Sequence, residues 1–121
     1  MDELGNLLGA RLVRLGRGGV ALAAVVVDAE AIRQFCQENN VVELSLFGSV
    51  VRADFGPDSD VDVLVEFAPG RAASLFRLVN MQEQLSAVFG RRVDLVSKKG
   101  LNRYLRERIL RSREVVYGGQ G

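Results

Sequence analysis

The chain has 121 residues, 48% of them hydrophobic and 26% charged, with a net charge of +1. That length and balance suit one folded domain with its own core rather than a disordered segment. There is no histidine and a single cysteine, Cys36, which excludes histidine-based triads, zinc held by His or by Cys alone, and an internal disulfide. Any metal this chain binds has to be held by oxygen.

Near the N-terminus Arg11, Arg14 and Arg17 precede an apolar run, Val20 to Val27, and then Ala29-Glu30-Ala31. The pattern superficially resembles a secretory signal, but Gly16, Gly18 and Gly19 interrupt it and the small-residue site falls inside the next helix signal. The run is also far shorter than the ~20 apolar residues of a spanning helix. Residues 1–27 are therefore read as a weakly specified extension and residues 28–121 as the domain.

Asp28 reads as an N-cap, and Ile32, Phe35 and Cys36 recur at helical spacing until Asn39-Asn40. Val42, Leu44 and Leu46 alternate with Glu43 and Ser45, the period of a half-buried strand. Gly48-Ser49 breaks it, with a short helix expected from Val50. The stretch from Asp54 to Ser59 has turn chemistry, and Val61, Val63 and Val65 alternate along a second strand. After Pro69-Gly70, the residues Leu75, Leu78, Val79, Leu85, Val88 and Phe89 predict an amphipathic helix closed by Gly90. Val93, Leu95 and Val96 give a third strand. Leu101, Leu105, Ile109 and Leu110 give a last helix, on which the spacing of Tyr104 suits core packing, and Val115-Val116-Tyr117 gives a final strand. Strands alternating with helices predict an α/β sandwich of the α+β kind, a small sheet with helices packed on it.

Charge is unevenly distributed. Glu43, Asp54, Asp58, Asp60, Asp62 and Glu66 lie between Val41 and Gly70 against Arg52 alone, whereas Lys98, Lys99, Arg103, Arg106, Arg108, Arg111 and Arg113 dominate the last helix region. Such polarity offers a cation site in the middle and an anion or acidic-partner site at the end, or simply a solvated basic face.

The chemistry concentrates in Gly48-Ser49 and Asp60-Val61-Asp62. Side chains two apart on a strand share a face, so Asp60 and Asp62 aim two carboxylates together. Their repulsion is relieved by a divalent cation, and oxygen ligands suit Mg²⁺. Gly48 lets backbone approach a phosphate and Ser49 adds a donor. Asp94, between Val93 and Leu95, is a third carboxylate whose burial in so apolar a strand would be costly unless it is paired or ligated. It is also a candidate proton acceptor. A phosphate cradle beside a carboxylate site fits phosphoryl or nucleotidyl transfer. Each signal alone has a plainer explanation: a solvated strand face, a turn, or an Asp94 ion pair with Arg91 or Arg92.

In order, however, the stretch from Leu46 through Gly48-Ser49 and Asp60-Val61-Asp62 to Val65 resembles the signature of the minimal nucleotidyltransferases, members of the DNA polymerase beta-like nucleotidyltransferase superfamily. Gly90 to Val96 is similar to their third-carboxylate strand, and the likeness covers about residues 28–117. Ala53 departs from the glycine usual there. The resemblance implies a mixed sheet of the polymerase beta-like nucleotidyltransferase fold. It implies Mg²⁺, in a two-metal site, on Asp60, Asp62 and Asp94, with the triphosphate of ATP on Gly48 and Ser49. Arg52 is either a phosphate or acceptor contact or an ion-pair partner of Asp54 or Asp58. Ser59 either donates to the nucleotide or stabilises its turn. The family's small members are typically cytoplasmic antitoxins of HEPN-type ribonuclease toxins, which they silence by moving AMP from ATP to a toxin tyrosine. That makes a HEPN-type toxin the expected partner, with no membrane and no nucleic acid. The alternatives are a small-molecule acceptor such as an aminoglycoside hydroxyl, or an antitoxin that works by binding alone. Leu101, Leu105, Ile109 and the arginines between them are the expected docking surface.

Overall fold

The computed structural model describes residues 13–14, 19–22, 25–51, 56 and 58–118, with side chains from residue 27 onward. Three short strands come first: β1 (Val13–Arg14), β2 (Gly19–Leu22) and β3 (Val25–Asp28), in one antiparallel sheet of order β1-β2-β3. The apolar run of the extension thus supplies strands, and Val27 joins the core at 4% exposure.

Asp28 then caps helix α1 (Ala29–Glu38) by accepting a 2.9 Å hydrogen bond from the Glu30 amide, which satisfies one of the orphan amides at a helix start. Ile32, Phe35 and Cys36 form its buried stripe. Strand β4 (Val41–Phe47) leads into a 3₁₀ turn, Gly48–Val51, and β5 (Val61–Phe67) follows. Helix α2 (Leu75–Phe89) is capped by Ser74 and closed by Gly90, before β6 (Val93–Ser97), α3 (Arg103–Ser112) and β7 (Glu114–Gly118).

The second sheet has the order β6-β5-β4-β7. β4 pairs antiparallel with β5 and β7, while β5 and β6 are parallel and need the crossover that α2 provides. The sheet is mixed and the class is α+β, as expected. Leu44, Leu46, Val61, Val63, Val65 and Val93 meet Ile32, Phe35, Met81, Leu85 and Phe89 in one core, so α1 and α2 cover one face. By strand alternation the other face carries Asp62, Leu64 and Glu66 of β5 and Asp94 of β6.

Four expectations are corrected by the packing. β4 has a register shift between Val41 and Glu43 against β5, so Val41 is buried and Val42 is 43% exposed; a bulge of this kind resets which residues point inward. On α2 the stripe is Met81, Leu85 and Phe89, leaving Leu75 and Val79 exposed. The turn after β4 begins at Gly48 rather than Val50. On α3 no residue is buried, and Tyr104 is 82% exposed rather than packed in a core. No helix among the described residues is long and apolar enough to cross a membrane.

Candidate active site

The central residue of the carboxylate face is Asp62. Its backbone is in register with Phe47 of β4 on one side and Asp94 of β6 on the other. Neighbouring strands lie about 4.8 Å apart, so Asp62 and Asp94 present their carboxylates side by side. Phe47 leads directly into Gly48, whose φ is +74°, and this left-handed residue turns the chain over Asp62. A Cβ on Gly48 would overlap Asp62 Oδ2 and stand 3.0 Å from its Cγ. Only glycine lets the backbone come this close. Ser49 follows in the same turn, half-buried.

Asp60 lies just before β5 and is exposed. The segment that delivers it is tied down from two sides. Gly56 and Ser59 close a turn through Ser59 N–H to Gly56 O at 3.1 Å and Gly56 N–H to Ser59 Oγ at 3.0 Å. From the α2–β6 connection, Arg91 Nη2 donates to Gly56 O at 2.8 Å and to Ser59 O at 3.2 Å, and the Val61 amide donates to Arg92 O at 2.9 Å. The Ser59 hydroxyl oxygen therefore stabilises the turn, one of the two roles considered for it. Arg91, considered as an Asp94 partner, instead holds this turn; a residue two before a short strand gave no sequence signal for that task. Arg52 and Asp54 lie outside the described residues.

Asp94 is exposed, so the burial cost anticipated for an acid in an apolar strand does not arise: it sits on the open face of the sheet. Among the described residues no three His, Cys, Asp or Glu side chains converge as a metal-holding group. Asp62 and Asp94 are brought together by register, and Asp60 lies two residues before Asp62, at the entrance to β5. The donors remain suited to Mg²⁺, which takes one or two protein carboxylates and fills its shell with water and substrate phosphates.

Next to Gly48 opens a cleft of ≈ 560 Å³. Phe47, Gly48 and Val51 form one wall, and Leu105, Ile109, Arg108 and Arg111 of α3 form the other. The last helix is fastened over it by its C-terminal end. Arg113 Nε donates to Glu43 Oε2 at 2.7 Å, and Arg113 Nη1 caps the helix at Leu110 O at 2.8 Å.

A four-stranded mixed sheet with a glycine turn abutting one of two paired carboxylates defines a nucleotidyl-transfer scaffold. The nucleotidyltransferase domain model matches residues 29–116, and the chain belongs to that family of enzymes. The protein adenylyltransferase MntA of Thermococcus cleftensis is 44% identical over 77 residues, which cover 64% of this chain and 74% of that protein. A solved structure assigned as a minimal nucleotidyltransferase is 39% identical with a TM-score of 0.60, covering 70% of this chain and 85% of its own. A chain of the solved complex between the tri-AMPylated HEPN toxin of Shewanella oneidensis and its MNT antitoxin superposes with a TM-score of 0.56 over 76% of this chain and 71% of that one. At 19% identity it shares the fold.

Proposed function

We propose that this enzyme transfers AMP from ATP, with Mg²⁺, to a hydroxyl of a HEPN-type toxin and thereby acts as its antitoxin. The observation that carries the reading is the contact of the Gly48 turn with Asp62, itself in register with Asp94: a backbone turn open to phosphate lies directly against a carboxylate pair. The names of its relatives support the adenylyl donor and the protein acceptor.

In this reading Asp60, Asp62 and Asp94 hold Mg²⁺, and the ion supplies charge neutralisation for the triphosphate and the departing pyrophosphate. Gly48 and Ser49 present amides and a hydroxyl to the phosphates, and Arg52 and Ser59 are the further candidate nucleotide contacts of the motif. Asp94, exposed on the open face, is placed to take the proton from an incoming hydroxyl. The acceptor arrives on a partner protein. An ATP-consuming reaction on a ribonuclease fits the cytoplasm.

The test is incubation with α-labelled ATP, Mg²⁺ and a HEPN-type toxin protein. Label should appear on the partner with the wild type and not with Asp60→Asn/Asp62→Asn. If the double variant labels the partner equally well, the carboxylates do not run the reaction; if no label appears but the toxin is still neutralised, the protein acts by binding.

A further inference from the structure

The basic residues of α3 are not equivalent. Arg113 is committed to Glu43 and Leu110 O, and Arg106 Nη2 reaches Leu101 O at 3.4 Å. Arg108 and Arg111 differ: both residues line the cleft beside Gly48, and their side chains have no hydrogen-bond or ion-pair partner among the described residues. No acidic residue is among the described residues that line this cleft. Two unpaired arginines that line one cleft, with no carboxylate among its described lining residues to balance them, make a seat for an anion. The apolar walls, Phe47, Val51, Leu105 and Ile109, lower the local dielectric and strengthen that attraction.

We infer that the cleft holds the β- and γ-phosphates of the nucleotide, with Arg108 and Arg111 binding the leaving pyrophosphate. The inference rests on the nucleotidyl-transfer reading above and gives a role to Arg108, expected at a protein-docking surface, and to Arg111, expected only as part of the basic end of the chain. Two observations favour a polyphosphate over an acidic protein segment. Gly48 both lines the cleft and abuts Asp62, so an anion seated there lies one residue from the carboxylate pair. The volume of ≈ 560 Å³ is also that of a small-molecule site. In the step itself the acceptor oxygen bonds to the α-phosphorus and loses its proton to Asp94 or water. The bond from the α-phosphorus to the bridging oxygen breaks, and pyrophosphate leaves with that electron pair. The charge that grows on the leaving group falls between the two arginines, where bidentate contacts are strongest.

The experiment is calorimetric titration of the full chain with inorganic pyrophosphate, ATP and AMP, each with Mg²⁺. Arg108→Gln/Arg111→Gln should weaken pyrophosphate and ATP by about tenfold or more and leave AMP binding unchanged. Arg108→Lys/Arg111→Lys should fall between. Lys99→Gln/Arg103→Gln removes the same charge from exposed positions on the same segment and should change affinity by about twofold at most. Unchanged folding is checked by thermal melting. Equal pyrophosphate affinity in the two glutamine variants overturns the inference, and a raised KM for the partner protein with unchanged ATP affinity would assign the cleft to the acceptor instead. Those results leave nucleotidyl transfer standing; a wild-type chain that binds no ATP would remove both.

Discussion

Gly48 packs against Asp62 so closely that a side chain on the glycine would displace the carboxylate. The turn and the acid are therefore one unit, made by a left-handed φ of +74° at the end of β4. Gly48→Ala should cost about 1–3 kcal/mol, combining the left-handed penalty with the overlap. It should also lower AMP transfer far more than the loss of folded protein explains. A urea melt and a transfer assay on the same preparation separate the two effects. Normal transfer by a destabilised but folded variant would show that the close approach is only structural.

Arg91 ties the turn that delivers Asp60, through Gly56 O and Ser59 O. Arg91→Gln should keep the fold, because the core is built by other residues, and should slow transfer by about tenfold as the turn loses its position. The rate at saturating ATP is the measurement. The conservative variant Arg91→Lys should recover part of the rate.

Glu43 and Arg113 anchor α3 to the sheet across β4, with side chains 14% and 22% exposed. Glu43 also accepts from the hydroxyl of fully buried Ser45 at 3.1 Å. Glu43→Gln should cost about 1–3 kcal/mol, since it leaves Arg113 partly buried without its charge partner. Because α3 buries no residue of its own, hydrogen exchange should rise in α3 while the β4 and β5 amides stay protected. Uniform loss of protection would mean that the pair holds the core instead.

Cys36 is fully buried, and burial pushes its thiol up to about 12 from an ordinary value of 9.0. The unfolded chain ionises first, so this residue's contribution to stability is complete below about pH 9. It declines as pH rises toward 12, by at most about 1.4 kcal/mol per pH unit. Cys36→Val should flatten that alkaline decline relative to wild type in urea melts at pH 8 to 11, and the native thiol should not react with an aromatic disulfide reagent until the chain unfolds.

The elements with local chemistry were legible in the sequence. Asp28 and Gly90 carry capping signals that depend on their immediate neighbours, and the valines of β5 show their alternation directly. The resemblance carried by Gly48-Ser49 and Asp60-Val61-Asp62 pointed to the family whose domain model matches residues 29–116. What escaped was set by partners distant in sequence. Val42 points outward because β4 slips against β5, a register that neither strand encodes alone. A Cβ on Gly118 of β7 would overlap the Val42 carbonyl, so that irregularity is accommodated from the far end of the chain. Leu75 and Val79 fit the helical period but lie beyond the edge of what α2 covers. Arg91 looked like an ion-pair partner of Asp94 and Arg108 and Arg111 like members of a basic surface, and only the folded chain distinguishes a turn clamp from two cleft residues.

In the proposed function Asp62, between the Gly48 turn and Asp94, runs AMP transfer to a partner protein. Intact mass measurement of the HEPN-type partner, purified after co-expression with wild type or Asp62→Asn, tests it most directly. The account predicts AMP additions on the partner with wild type and none with Asp62→Asn, while the two proteins still copurify. AMP additions that persist with Asp62→Asn would contradict it.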